Sequence, residues 1–469
     1  MLSKKKVQDF TEGPILSRII KFSIPIMITG VLQLLFNTAD TIVVGRWGGA
    51  TPEACEAALG AVGSCGSLIN LLTLLFINIA LGAGVMVAQD IGAKNFKGIE
   101  KTVHTATLFS LIISIFVMLI GFFFAKPLLG LMGTDPKVME QAVPYMIAYF
   151  CGIPGKMLYN FHAAILRNAG ETVRPMLYLT LSGFVNVGLN LVMVLVFKMG
   201  ALGVGIATAA SFWVVAIALM IHMMRSDSAY HLDIKKLEID PQRLKKMLQI
   251  GVPAGVQGVI FSFSHVMIQS SVNSLGTAVV AGNAASANID GYIYQPMVSF
   301  YQAAVTFVGQ HKGAQKYDRM KICVLWSAVC SAITGIALAA IAIALGKPLL
   351  GLYIPDNTAA VAAGLERMHL CTATYFLCGL MEVGSGMMRG LGRSTTAMVT
   401  SLLGSVVFRI FWILLIFPMN PTLTVLYISY PISWILTSSA HFILGHFVLK
   451  KEARAARLLP EAEQQKELA

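Results

Sequence analysis

Charged side chains are scarce in this sequence, and the motifs of several enzyme classes are missing from it. Asp, Glu, Lys and Arg make up only 12% of the 469 residues, whereas 56% are hydrophobic. A soluble globular protein of this length does not need so large an apolar excess, so the composition indicates an integral membrane protein. The sequence contains no HExxH, P-loop or GxSxG motif. We therefore expect a protein that is not an enzyme and that needs no cofactor.

Cysteine pairs and nucleic-acid-binding patterns are missing as well. None of the seven cysteines forms a CxxC motif, and most lie within apolar runs, so the sequence predicts neither a disulfide framework nor a metal site. The formal net charge is +12, but no basic stripe with interleaved aromatic residues accompanies it. We expect no nucleic-acid partner, and we attribute the positive excess to loops on one side of a membrane.

Long apolar runs are what the sequence has in abundance. We predict twelve membrane spans, all helical, because a lone helix satisfies its own backbone hydrogen bonds in lipid. The predicted spans are residues 15–46, 62–88, 102–125, 138–162, 173–197, 202–225, 246–275, 284–310, 321–345, 359–387, 395–417 and 424–449. Lys and Arg concentrate at the N-terminus, in the loops after the even-numbered spans and in the tail. The positive-inside rule then places both termini in the cytoplasm of a multi-pass protein of the inner (plasma) membrane, which we expect to be monomeric.

The two halves of the chain repeat. Four short motifs recur in the same order in the second half: KFSIP as QIGVP, VAQDIGAKNF as VGQHKGAQKY, AKPLLGLM as GKPLLGLY, and ILRNAGETVRPM as MMRGLGRSTTAM. We predict an N-lobe at residues 1–225, a cytoplasmic linker at 226–245, a C-lobe at 246–450 and a cytoplasmic tail at 451–469. Six spans per lobe make the repeat parallel, with a pseudo-two-fold axis along the membrane normal. This architecture is typical of secondary transporters that work by alternating access.

One carboxylate, Asp40, lies inside the apolar run 21–45. An ionisable group at mid-helix costs on the order of 2.5–3.5 kcal/mol on insertion scales, so it is a functional hypothesis by default. Asn186 and Asn190 are four residues apart and share one face of span 5, and Thr208 lies two turns into span 6. These oxygen donors suit a small hard cation, or a protonated Asp40 held by hydrogen bonds. The alternative is that the three polar residues only join helices.

These residues and motifs resemble those of the multidrug and toxic compound extrusion (MATE) family. The resemblance covers essentially the whole chain: twelve spans, FNTADTIVVG in span 1, VAQ-x-x-GA after span 2, and LRN-x-G and MRG-x-G after spans 4 and 10. It implies that Asp40, Asn186, Asn190 and Thr208 form the family's N-lobe cation or proton site. It also implies that Pro25 is the hinge of a bent first helix. The expected function is export of organic, often cationic, compounds in exchange for H⁺ or Na⁺.

The sequence departs from some members of the family. Asn190 stands where some archaeal members carry an aspartate, which puts a strongly held cation in doubt. Phe261 and Cys378 stand where the NorM-like branch carries acids, so we expect no C-lobe cation site of that kind. Glu382 lies one turn beyond Cys378 and either substitutes for the missing acid or is a helix-end acid at the cytoplasmic surface. Ile268 occupies the place in span 7 that matches Asp40. Ion coupling is therefore predicted in the N-lobe alone.

Other polar and aromatic residues are candidates for a substrate cavity. They are Gln33, Phe36, Asn37, Tyr159, Gln257, Phe261, His265, Tyr294, Met297, Tyr301, Glu382 and Arg409. Each could equally serve helix packing, and Arg409 could be structural, paired with an acid or a helix end. Asp290 is expected near the outer end of span 8, where water solvates it.

Three rival functions remain open at this point. A lipid-linked-oligosaccharide flippase would need a more cationic cavity than Lys156 and Arg409 provide. An exporter of an endogenous metabolite differs from a drug exporter only in its substrate. A polytopic membrane enzyme would need a cluster of acids or histidines at the membrane surface, and none stands out in the sequence.

Overall fold

The computed structural model describes residues 7–355 and 357–458, and throughout these ranges the regular structure is helical, with no strand. In the first half the helices are α1 (Ile15–Trp47), α2 (Pro52–Gly92), α3 (Phe96–Leu131), α4 (Pro136–Cys151), α5 (Ile153–Asn168), α6 (Val173–Leu191) and α7 (Gly200–Arg225). A π-helical segment, Val192–Val196, continues α6, and a short 3₁₀ turn, Ile234–Lys236, lies in the linker.

The second half is helical as well but more often interrupted. Its helices are α8 (Pro241–Asn273), α9 (Thr277–Gly313), α10 (Tyr317–Ala344), α11 (Gly346–Tyr353), α12 (Thr358–Arg367), α13 (Phe376–Gly390), α14 (Ser394–Ser401), α15 (Phe408–Phe411) and α16 (Leu423–Leu458). π-helical segments cover Met368–Thr372, Leu402–Val407 and Trp412–Ile416, and a 3₁₀ turn covers Phe417–Met419. The eight-residue helix α11 lies between the helices of spans 9 and 10.

Each predicted span coincides with a helical stretch, but several boundaries and breaks differ. The helix of span 2 begins at Pro52, ten residues earlier than predicted, because polar residues next to a membrane span do not stop helical hydrogen bonding. Span 4 is two helices, α4 and α5, that meet at Gly152. Spans 5, 10 and 11 contain the π-helical segments. Hydropathy detects apolar residues and carries no signal for such breaks.

Nine helical stretches of the described chain are long and apolar enough to cross a membrane by length and composition. The stretches of spans 4, 8 and 10 fall short of that criterion. They contain α5, α9 and α13, in which most side chains are buried. A helix that neighbouring helices shield from lipid does not need an apolar surface all round, so these spans can carry polar groups.

The described chain divides into two compact units. Unit 1 contains residues 7–8, 29–87 and 96–255, and unit 2 contains residues 9–28, 88–95 and 256–458. The core of unit 1 is built around fully buried Met146, Phe150 and Met157. In unit 2, Phe10 stacks on Phe307, with 4.4 Å between ring centroids. Units defined by packing and lobes defined by membrane helices are different divisions of a chain, so the predicted lobe boundaries stay a prediction.

The linker between the two halves is docked on α3. The backbone N–H of Asp233 donates to Nε2 of His104 (3.1 Å), and the backbone N–H of Asp240 donates to Oγ1 of Thr105 (3.0 Å). The carboxylate of Asp240 pairs with Lys101 (3.0 Å) and accepts hydrogen bonds from the first backbone N–H groups of α8. The linker is therefore an ordered connection, and α8 begins at its end.

Candidate functional site

Three helices of unit 1 bring Asp40 and its predicted partners together. Asp40 lies in the last third of α1, Asn186 and Asn190 lie on one face of α6, and Thr208 lies in the third turn of α7. The four-residue spacing of the two asparagines stacks their side chains one turn apart, as the sequence predicts. Asn190 is completely buried, Asn186 and Thr208 are buried, and Asp40 is half-buried.

The four side chains form one continuous chain of hydrogen bonds. Nδ2 of Asn190 donates to Oδ1 of Asp40, in a short contact, and also lies 3.3 Å from Oδ1 of Asn186. Nδ2 of Asn186 donates to Oγ1 of Thr208 at 3.4 Å. The buried Oδ1 of Asn190 has no hydrogen-bond partner among the described residues. An acceptor oxygen without a donor therefore lies beside the carboxylate.

A change of helix type accompanies this cluster. Directly after Asn190 the α-helical pattern of α6 ends at Leu191, and the π-helical segment Val192–Val196 follows. π-Helical turns are rare and occur frequently at functional sites, where they displace side chains from the regular helical register.

The chemistry of the cluster is that of a small hard cation or of a proton. Asp40 contributes carboxylate oxygens, Asn186 and Asn190 contribute amide oxygens, and Thr208 contributes a hydroxyl; such oxygen ligands suit hard cations. A proton on Asp40 would instead supply a donor for an acceptor oxygen such as Oδ1 of Asn190. Apart from Asp40, the four side chains include no charged group.

The predicted cavity residues of unit 1 lie in different environments. Gln33 and Asn37 are exposed on α1, and Phe36 is half-buried, with its ring edge-on to Phe184 at 6.1 Å between centroids. Tyr159 is buried, and its hydroxyl accepts a hydrogen bond from Arg167 (3.4 Å). Tyr159 is therefore engaged with a neighbouring side chain, whereas the side chains of Gln33 and Asn37 are exposed.

The predicted residues of unit 2 fall into separate contacts. The hydroxyl of Tyr294 donates to Oε1 of Glu382 (3.1 Å). Arg389 donates to the hydroxyl of Tyr301 (2.5 Å) and to Oε1 of Gln257 (3.0 Å). Glu382 thus lies within α13, bonded to a tyrosine of α9, and its interpretation as a helix-end surface acid is wrong.

The remaining predicted residues of unit 2 share no hydrogen bond with these pairs. Met297 is completely buried, Phe261 is half-buried and His265 is exposed. Arg409 is 4% exposed and lies on α15. Pro25 is buried within α1, one turn before the part of that helix that belongs to unit 1.

Sequence reasoning missed a buried ion pair and misplaced one of its members. Asp290 is only 3% exposed and pairs with Arg367 at 2.6 Å, so the expectation that water solvates it was wrong. Thr372 donates to Asp290 (2.6 Å), and Arg367 donates to Ser286 (2.7 Å). The signal in the sequence was Arg367 inside predicted span 10, because a charge within a membrane helix normally pairs with a group on a neighbouring helix.

Comparisons with known proteins agree with this architecture. A sequence model of the MatE family matches residues 25–192 and 253–415, one stretch in each half and together more than half of the chain. The probable multidrug resistance protein YoeA of Bacillus subtilis is 26% identical over 379 residues, covering 79% of this chain and 80% of its own. The probable multidrug resistance protein YpnP of the same organism is 25% identical over 415 residues, covering 87% and 88%.

A solved structure has the same fold. It is an outward-facing multidrug resistance MATE family transporter of the MOP superfamily, with a TM-score of 0.89, 19% identity, and coverage of 96% of this chain and 100% of that one. The chain is therefore an all-α membrane protein with twelve transmembrane helices in two six-helix lobes, and it belongs to the MATE family of transporters.

Proposed function

We propose that this protein is a cation-coupled antiporter that exports organic, often cationic, compounds such as drugs, and that H⁺ or Na⁺ binds at Asp40. The observation that carries the proposal is the hydrogen-bonded cluster of side chains with ligand oxygens around this one carboxylate. Within it, the buried Oδ1 of Asn190 has no hydrogen-bond partner among the described residues. The names of the two Bacillus subtilis relatives support drug-like substrates. We place the protein in the plasma membrane as a monomer with both termini in the cytoplasm.

The proposed coupling works through the bond between Asp40 and Asn190. While Asp40 is ionised, the hydrogen bond from Nδ2 of Asn190 is charge-assisted and ties α1 to α6. A proton or a cation that neutralises the carboxylate weakens this bond and presents a new charge or donor to Oδ1 of Asn190. Ion binding then favours one arrangement of α1 over another, with Pro25 as the hinge. Substrate and ion compete because each prefers a different arrangement.

The experiment is transport of a fluorescent organic cation into the lumen of inverted membrane vesicles, which corresponds to efflux from the cell, with an imposed pH or Na⁺ gradient. Asp40→Asn keeps the size of the side chain and its contact with Asn190 but cannot ionise. We expect this variant to lose at least about 90% of gradient-driven efflux while still binding the substrate, because the variant cannot respond to the ion. Parent-like efflux by Asp40→Asn would contradict the proposal.

Two substitutions of Thr208 provide a matched control. Thr208→Ser keeps the hydroxyl and Thr208→Val keeps the shape, so only the valine variant should lower ion-driven efflux. Equal loss in both variants would point to packing rather than to ligation. Applying the pH gradient and the Na⁺ gradient separately identifies the coupling ion.

A further inference from the structure

Arg409 is a buried charge in a membrane helix that lacks an acidic partner. It is 4% exposed and lies on α15. Among the described residues, no carboxylate lies within ion-pair distance of its guanidinium group. Charged residues within a membrane span are costly and normally pair with another group or with a ligand.

The contacts of Arg409 leave part of its guanidinium group unused. Nε donates to Oγ of Ser433 (2.9 Å), and Cζ lies over the ring of Tyr430, 4.1 Å from the ring centroid. Trp434 lies farther away, at 5.8 Å. The two terminal nitrogens donate no hydrogen bond to any described residue. An aromatic ring does not replace the hydrogen-bond acceptors of a guanidinium group, so the terminal N–H groups are available to bind an anion.

Arg367 shows how the same unit satisfies a buried arginine when no ligand is needed. Its guanidinium group pairs with Asp290 at 2.6 Å and donates to Ser286 at 2.7 Å. The positive charge of Arg367 is thus compensated within the protein, whereas that of Arg409 is not. The surroundings of Arg409 therefore contain an uncompensated positive charge.

The backbone around Arg409 is also irregular. The four residues of α15 lie between two π-helical segments, Leu402–Val407 and Trp412–Ile416. A third such segment, Met368–Thr372, directly follows Arg367, and the fourth in the described chain follows Asn190. All four π-helical segments thus adjoin buried charged or amide side chains. This is the placement expected where helices are distorted to present ligand-binding groups.

We propose that unit 2 contains a binding site for an aromatic oxyanion, in which Arg409 binds the carboxylate, sulfonate or phosphate group and Tyr430 contacts the aromatic ring. The site is opposite in charge to the cluster around Asp40. Tyr430 is half-buried and packs edge-on against Trp434 (5.6 Å between centroids), which extends the aromatic surface. This proposal goes beyond cation-coupled export of organic cations and does not depend on ion coupling at Asp40.

The test is a comparison of three ligands of one shape and different charge. Binding of 2-naphthoate, 2-naphthamide and 2-naphthylmethylammonium to the parent protein in phosphatidylcholine nanodiscs is measured by isothermal titration calorimetry without an ion gradient. We expect the carboxylate to bind at least about tenfold more tightly than the neutral amide, because a charge-assisted hydrogen bond to arginine is lost with the charge. A cation that binds as tightly as the carboxylate would overturn the proposal, and this comparison requires no variant.

Variants assign the preference to Arg409. Arg409→Gln should bring the naphthoate affinity down to that of naphthamide, Arg409→Lys should keep most of the preference, and Arg393→Gln, at an exposed arginine, should leave it unchanged. Thermal unfolding of each variant shows whether it is folded. A folded Arg409→Gln protein with the parent's preference would overturn the assignment.

Two further measurements separate the anion site at Arg409 from ion coupling at Asp40 and from lipid binding. Asp40→Asn should bind naphthoate like the parent, so a failure of ion coupling and a failure of the anion site give different results. Replacing part of the phosphatidylcholine by phosphatidylglycerol should leave the naphthoate affinity unchanged. A tenfold weaker affinity in the anionic nanodiscs would mean that a lipid headgroup occupies Arg409, and would overturn the assignment to a soluble ligand.

Discussion

At the scale of single residues, Asp240 shows how one carboxylate fixes the beginning of a long helix. Its Oδ1 accepts the backbone N–H groups of Gln242 and Arg243 (3.0 Å each), and its Oδ2 pairs with Lys101. The N–H of Arg243 and the charge of Lys101 hold the pKa of Asp240 below its ordinary value of 3.8. The ionised form is thus the one that the folded protein stabilises.

Replacing Asp240 should therefore cost stability in a pH-dependent way. Asp240→Ala removes the cap of α8 and should lower the free energy of unfolding by about 1 kcal/mol at pH 7. A group with a depressed pKa stabilises the fold above its unfolded pKa, and this contribution is lost as the pH falls through the lower, folded value. The difference between parent and variant should thus shrink below about pH 4. Thermal unfolding of the parent and of Asp240→Ala in detergent, from pH 3 to 7, measures this difference in stability.

Asp318 provides the comparison for this experiment. It forms an exposed i,i+3 pair with Lys321 (3.1 Å) and has 82% of its side chain exposed. Asp318→Ala should change the stability by less than about 0.5 kcal/mol. If both alanine variants behave alike, or if the cost at Asp240 does not depend on pH, the cap is not ionised as described.

The sequence predicts which residues contact each other where those residues lie at a fixed helical spacing or in a recognised motif. Asn186 and Asn190 stack because they are four apart. Asp40 stood out as the one carboxylate in its apolar run, with Thr208 as a further oxygen ligand, and the resemblance implied that all four form one site. The pairing of Asp290 with Arg367 joins α9 to α12 across 77 positions, and no local pattern carries it. The expectation that Asp290 lies near water was wrong because hydropathy gives no information about its ion-pair partner, Arg367.

At the scale of elements, the two copies of the repeated motif, VAQ-x-x-GA in α2 and VGQ-x-x-GA in α9, lie where these two helices cross. A Cβ atom on Gly92, at the end of α2, would overlap the backbone oxygen of Gln310 in α9. A Cβ atom on Gly313 would overlap the backbone oxygen of Gln89 in α2. The two glycines thus let the backbones of α2 and α9 approach each other closely. The two copies of the repeated motif therefore contact each other within unit 2.

Alanine at either glycine should weaken this crossing. Gly92→Ala and Gly313→Ala should each lower stability by about 1–3 kcal/mol, since the backbone oxygen cannot move aside as a flexible side chain would. Gly66, also within α2, has open space where its Cβ would be. Gly66→Ala should be neutral, or stabilising by about 0.5–1 kcal/mol. Thermal unfolding of the three variants tests this, and a Gly92→Ala protein as stable as Gly66→Ala would exclude the close crossing.

The sequence predicts which elements exist better than it predicts their interruptions. Nine helical stretches of the described chain have the apolar length that crossing lipid demands, and the predicted spans 4, 8 and 10 coincide with helical stretches as well. The break between α4 and α5 coincides with Gly152 and Pro154, which are residues typical of helix breaks, whereas the π-helical segments beside Arg367 and Arg409 have no compositional signature. The π-helical segments lie next to buried polar side chains, and the surroundings of such side chains are set by tertiary packing. The sequence shows that the glycines repeat, but it does not show that α2 and α9 approach each other at these glycines.

At the scale of the whole molecule, the two halves share a fold and differ in chemistry. Composition and the internal repeat were sufficient to predict the all-α membrane fold. The place in α8 that matches Asp40 is Ile268, which is 4% exposed and packs in an apolar cluster with Val272 and Tyr427. Two acids within helices of the second half are already engaged, buried Asp290 with Arg367 and half-buried Glu382 with Tyr294. Ion coupling is therefore expected from the first half alone.

Glu382 is the residue on which this asymmetry can be tested. Its Oε1 accepts the hydroxyl proton of Tyr294, and Glu382→Gln keeps an acceptor oxygen at that place while removing the ionisable group. If Glu382 takes no part in coupling, the variant should retain more than about half of the gradient-driven efflux and the parent's dependence on ion concentration. Asp40→Asn, measured in the same vesicles, should lose both. Because a neutral amide replaces a carboxylate in each protein, the two variants differ only in which half loses its acid. A Glu382→Gln protein that no longer responds to the gradient would place a second coupling group in the second half, and coupling through the first half alone would have to be abandoned.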